Sequence, residues 1–176
     1  MVALKKLHHL ALRCKDARKT VEFYTDVFDV KLVAAETSDI VPSTGEFSPH
    51  CNLFMQMEDG SLLDFIDVPL APPQGRDENT PPWVQHFAFE VESFDKLGEI
   101  KKRVEAKGIK VLGPADHGFC QSIYFFDPSG HRLEVTWPND PGYLKQSVLT
   151  ANDKLAAWEA KKKQGWTVPQ KTAQPS

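Results

Sequence analysis

The sequence predicts an α+β fold in which one short unit is built twice. Three observations carry this. His9-Leu10-Ala11-Leu12 returns as His86-Phe87-Ala88-Phe89, and Gly60-Ser61-Leu62-Leu63-Asp64-Phe65 returns, in the same order, as Gly130-His131-Arg132-Leu133-Glu134-Val135. Between each pair of echoes, a stretch with helical spacing of apolar residues is followed by segments that alternate like strands. Lastly, a segment with five prolines separates the two copies.

In chain order, His9 to Cys14 alternates as a strand. Asp16 is placed to cap a helix running to about Phe28, with Val21, Tyr24 and Phe28 on one stripe. Strands are expected around Glu36–Val41 and Cys51–Met57, and again through Asp64. Val68 to Trp83, rich in proline with Gly75 and a charged run, reads as an exposed crossover linker. The second copy opens with the His86 strand. Ser93 or Asp95 starts a helix with Leu97, Ile100 and Val104 inward, and Lys107-Gly108 ends it. Strands follow around Val111, at Ser122–Phe126 and through Glu134. The expected organisation is thus one domain over residues 1–138, with modules at about 5–68 and 83–138 and a linker at 69–82. Residues 139–176 form a C-terminal extension: a helix from Thr150 to Lys163, with Leu155 and Trp158 on one side, then a loose end beyond Gln164.

Composition narrows the function. A net charge of −3, with acids and bases interspersed, argues against nucleic acid as a partner, because polyanion binding needs clustered Lys and Arg. No apolar stretch has the length to span a bilayer, the first residues lack a signal-peptide pattern, and three scattered cysteines form neither a disulfide framework nor a Cys-x-x-Cys site. No membrane association is expected, and the cytoplasm is the default compartment.

Alternation shows where the repeated polar residues point. His9, Ala11 and Arg13 share one strand face; His86, Ala88 and Glu90 share the equivalent one; Glu134 lies with Arg132 and Thr136, and Asp64 faces away from Leu63 and Phe65. Four potential ligands therefore occupy the polar sides of half-buried strands, twice beside a small alanine. Two histidines and one or two carboxylates suit a single divalent ion: Fe(II), Mn(II), Ni(II), Co(II) or Zn(II). Positions remain open on it for substrate or O2. Arg13 and Glu90, on the cavity face, are expected to pair with each other, the alternative being that Arg13 binds an anionic substrate group. By strand parity His8 points to the opposite face from His9, and His131 reads as a surface residue.

At His9-Leu-Ala-Leu-Arg-Cys-Lys-Asp16, Phe23-Tyr24, His86-Phe-Ala-Phe and Tyr124-Phe-Phe-Asp-Pro-Ser-Gly-His-Arg-Leu-Glu134, the chain resembles the vicinal-oxygen-chelate superfamily. That superfamily includes glyoxalase I, extradiol ring-cleaving dioxygenases, fosfomycin-resistance enzymes and bleomycin-binding proteins. The resemblance covers about residues 7–138. It implies paired βαβββ modules that form an incomplete eight-stranded barrel around a metal held by His9, His86 and Glu134. It also implies a small-molecule substrate with adjacent oxygens, and a homodimer. Asp64 falls where glyoxalase I carries a fourth ligand, one methylene longer, and Asp29 falls where the family usually has glycine.

The resemblance leaves the reaction open. Tyr124, ten residues before Glu134, and the His117-Gly118 loop match ring-cleaving members, which favours an Fe(II)-dependent extradiol-type dioxygenase acting on a small catechol-like aromatic. Tyr124, His117 and Asp64 are then the candidate catalytic residues. The alternative is a glyoxalase-like lyase or isomerase with Asp64 moving a proton, for which Arg13 matches a glutathione-contacting arginine. A non-catalytic protein that sequesters an aromatic compound is the third reading, disfavoured by the retained ligands.

Overall fold

A computed structural model describes residues 3–75 and 77–166; from residue 167 onward the expected loose end lies outside the described residues. The chain divides into two compact units, residues 1–138 and 139–176.

The first unit holds two four-stranded sheets of the same plan. The first module runs β1 (His9–Cys14), α1 (Ala17–Phe28), β2 (Lys31–Ile40), β3 (Phe47–Gln56) and β4 (Leu62–Asp67). The second runs β5 (Phe87–Glu90), α2 (Phe94–Ala106), β6 (Leu112–Asp116), β7 (Cys120–Phe126) and β8 (Arg132–Pro138). The strand orders, β1-β4-β3-β2 and β5-β8-β7-β6, are equivalent. In each sheet the His-bearing segment leads into a strand that runs parallel to the carboxylate strand, with Ala11 opposite Asp64 and Ala88 opposite Glu134. The duplicated sequence is a duplicated βαβββ module.

Local chemistry sets the helix ends. Asp16 accepts a hydrogen bond from the Lys19 amide at 2.9 Å, and Ser93 accepts one from Lys96 at 3.2 Å, so each cap satisfies an otherwise orphaned donor. Asp29 closes α1 at φ 58°, a left-handed conformation that aspartate tolerates better than most residues. The buried stripe of α1 is Thr20, Phe23, Tyr24 and Val27, with Val21 and Phe28 at its margins.

Each helix covers the apolar face of its own sheet, and the two helices meet, which gives one core rather than two. Leu53, Met55, Leu63 and Phe65 from the first sheet and Ile123, Phe125, Leu133 and Val135 from the second belong to the same buried cluster. The Phe28 ring lies 5.3 Å from Phe89 and 6.1 Å from Phe125, so α1 packs into the other module. A polar seam accompanies this. The buried Tyr24 hydroxyl donates to Asp127 at 3.1 Å, the Lys15 amide donates to Ser129 Oγ at 3.2 Å, and His131 Nε2 donates to the Arg13 carbonyl at 2.7 Å.

The second unit contains a short helix, α3 (Tyr143–Ser147), and α4 (Ala151–Gln164), with the Trp158 and Trp166 rings 5.4 Å apart. Among the described residues no helix is long and apolar enough to cross a membrane.

Candidate metal centre

Strand pairing decides which side chains share a face. On the side of the second sheet away from the core, Ala88, Glu134 and Tyr124 form one row across β5, β8 and β7. The small Ala88 leaves room beside the Glu134 carboxylate. His86 stands one residue before β5, and its Nε2 lies 2.8 Å from Glu134 Oε2. Its Nδ1 is 3.0 Å from the Val84 carbonyl, a contact that requires Nδ1 to carry a proton and donate it. The Nε2 lone pair then faces a carboxylate oxygen, and two electron-rich atoms that close need a cation, either a proton or a metal ion. Two ligands each about 2.1 Å from one ion and at right angles would be about 3.0 Å apart. The His86–Glu134 pair therefore fits adjacent positions on a divalent ion.

Tyr124 completes the cluster. Its hydroxyl is 2.8 Å from His117 Nε2, and its ring lies edge-on to His86 at 5.9 Å between centroids. The Arg132 guanidinium sits over the ring, 4.6 Å from its centroid. Burial, and then the neighbouring Glu134 charge, push the phenol up to about 12, so it stays protonated at neutral pH. The loop that carries His117 is pinned by its amide bond to the Cys120 carbonyl at 2.9 Å and by Gly118 donating to Asp116 at 2.7 Å.

The equivalent row in the first sheet is Ala11, Asp64 and Phe54. Asp64 is only 4% exposed, and both its oxygens accept from Asn52 Nδ2, at 2.8 and 3.1 Å. An apolar Phe54 stands where the second module has Tyr124. His9 opens β1 on the same face and is exposed, its Nδ1 2.8 Å from His8 Nδ1.

The structure thus brings His86, Glu134, Tyr124 and His117 together and leaves His9 and Asp64 on the other sheet. Both faces point away from the shared core. Among the described residues no three His, Cys, Asp or Glu side chains converge as a metal-holding group within one chain.

Three expectations are corrected. Arg13 does not pair with Glu90: its Nη2 reaches the Ala71 carbonyl at 3.4 Å, and its buried Nε has no partner among the described residues. The two residues sit on different sheets, a separation that repeat symmetry alone does not reveal. His131 is half-buried in the seam between modules rather than a surface residue. His8 meets His9 because it lies outside the strand, where parity does not apply. Sequence reasoning also missed Asn52 and the stacking of Arg132. Asn52 shares strand parity with Phe54, but its reach to Asp64 depends on cross-strand register.

The family described as Glyoxalase/Bleomycin resistance protein/Dioxygenase superfamily matches residues 6–135. The chain is 28% identical over 134 residues to a glutathione transferase FosA from Serratia marcescens, covering 75% of this chain and 80% of that protein. It is 29% identical over 135 residues to a biphenyl-2,3-diol 1,2-dioxygenase from Paraburkholderia xenovorans, covering 74% of this chain but only 40% of the dioxygenase. Among solved structures, a glyoxylase/bleomycin resistance protein/dioxygenase domain from Frankia sp. EAN1pec superposes with a TM-score of 0.65 at 20% identity, covering 78% of this chain and all of that one. The fosfomycin resistance protein FosX from Listeria monocytogenes, solved with Mn(II) and sulfate, superposes at 0.56 and 20% identity, covering 78% and 95%. At these identities the structural likeness concerns the fold.

Proposed function

The chain belongs to the Glyoxalase/Bleomycin resistance protein/Dioxygenase superfamily, and from that premise we propose that it is a divalent-metal enzyme of the extradiol dioxygenase type, acting on a small catechol-like aromatic. The observation that carries the reading is the Tyr124 hydroxyl, held 2.8 Å from His117 beside the His86–Glu134 pair. A ring-cleaving site needs a neutral hydrogen-bond donor at the substrate oxygen and a path for its proton, and this arrangement supplies both.

His86 and Glu134 hold the ion, with Fe(II) favoured over Mn(II), Ni(II), Co(II) or Zn(II). His9 supplies the third ligand from a second copy of the chain, because within one copy it lies on the other sheet. Exposed apolar residues flank both halves, Leu4 and Leu7 before His9 and Trp83 and Val84 before His86, as expected of surfaces that a second copy covers. Iron would supply chelation of two adjacent oxygens and the means to activate O2. Tyr124 donates its hydroxyl proton toward a substrate oxygen, and His117, on an exposed loop, exchanges that proton with solvent.

A second reading rests on Asp64. Its buried carboxylate, kept in place by Asn52, is suited to moving a proton between adjacent carbons in a glyoxalase-like lyase or isomerase.

The deciding experiment is anaerobic reconstitution with Fe(II), followed by a catechol panel with O2 consumption recorded. Uptake with ring cleavage is expected, and Tyr124→Phe should lower kcat about 100-fold or more. Isomerase activity with Ni(II) or Zn(II), and no uptake with any catechol, would replace the first reading with the second.

A further inference from the structure

We propose that Arg132 forms an anion subsite beside the metal centre, so that the substrate carries a carboxylate-class substituent on the ring that bears its chelating oxygens. The inference rests on the reading that His86 and Glu134 hold the ion.

Arg132 lies on the same face of β8 as Glu134, two residues earlier and so about 7 Å away along the strand. Continuing the β5–β8 register by one position places it beside His86. Two contacts fix its head group: the guanidinium stacks on Tyr124 at 4.6 Å, and Nη1 donates to the Pro82 carbonyl at 3.4 Å. Neither contact neutralises the charge, and most of the fork of N–H donors remains unused. Several other cations of this unit are held by carboxylates, whereas Arg13, also without one among the described residues, lies on the other sheet. Arg103 pairs with Asp29, Lys107 with Asp26, Lys96 with Glu99 and Lys101 with Glu105. Among the described residues Arg132 has no such carboxylate within ion-pairing distance.

A half-buried cation beside a divalent ion is repelled by it, and Glu134 alone does not offset both. An anionic substituent on the substrate removes that imbalance and accepts the planar fork in two parallel hydrogen bonds.

The test reads binding rather than turnover. Full-length protein loaded with redox-inert Zn(II) is titrated calorimetrically with catechol and with 3,4-dihydroxybenzoate. The dihydroxybenzoate should bind at least tenfold tighter. Arg132→Gln should abolish that preference while leaving catechol affinity within twofold, and Arg132→Lys should restore part of it. Equal affinity of the two ligands for the unaltered protein, an equal loss for both in Arg132→Gln, or no binding of either would overturn the proposal. O2 uptake by the Fe(II) protein separates the two claims. A carboxylate preference without uptake overturns the dioxygenase reading and keeps the subsite, whereas uptake without a preference does the reverse.

Discussion

Asp127 is the residue on which most converges outside the candidate centre. Buried at 5% exposure, it accepts from the Tyr24 hydroxyl and from the amides of Ser129 and His131, the last two at 2.9 and 2.8 Å. Asp127→Ala leaves those donors buried without an acceptor and should cost about 3 kcal/mol in denaturant unfolding. Asp127→Asn keeps one acceptor oxygen and should cost less than half of that. Burial raises the Asp127 carboxyl above its ordinary 3.8. A group raised in the folded state contributes stability that is complete below its unfolded value and is lost as the pH rises through its folded value. The stability gap between the unaltered protein and the Asn variant should therefore shift in favour of the unaltered protein as the pH is lowered toward 3.8. Cys14 gives a second check: burial pushes its thiol up to about 11, so it should react with thiol reagents at pH 8 only after unfolding. Asp127 was legible in the sequence only as part of a motif, since nothing local announces that its acceptor oxygens meet a tyrosine 103 positions away.

Among the elements, β6 is the most constrained by a single residue. Gly113 has φ 101°, and a Cβ there would lie 2.5 Å from the Ser122 carbonyl oxygen on β7, so backbone must move to admit it. Gly113→Ala should destabilise the protein by about 2 kcal/mol or more and loosen the loop that carries His117, with amide exchange rising first between residues 112 and 122. Asp29 shows the opposite case. Asp29→Gly relieves the left-handed strain but gives up the Arg103 ion pair at 2.7 Å, so its net effect should stay within about 0.5 kcal/mol. Elements with clear periodicity were legible, including both module helices, their caps, β1 and β8. The start of β2 at Lys31 was not, because its residues are exposed on both faces and carry no alternation to read.

The whole molecule depends on how the modules pair, and here the sequence was least informative. The repeat shows that His9 corresponds to His86 and Asp64 to Glu134, but equivalence by duplication is not proximity. Which faces meet is decided by the shared core and by the Tyr24–Asp127 seam, long-range contacts without a local signature. The seam predicts that the two modules unfold in one transition, with near-UV circular dichroism and Tyr fluorescence changing together in urea. The proposed centre predicts complementation: His9→Ala and His86→Ala should each be inactive alone, yet recover activity when mixed after partial denaturation and refolding, since one of the two centres in a mixed dimer is intact. If either variant stays active alone, or the mixture stays dead while both bind metal normally, the shared centre is wrong. The placement of His9 and the His86–Glu134 pair on separate sheets has one more consequence. In the proposed shared centre the donors are divided between copies, and occupancy there is a matter of mass action: metal favours association and association favours metal. Dilution should then weaken apparent metal affinity, and specific activity should fall with protein concentration well before any chain unfolds.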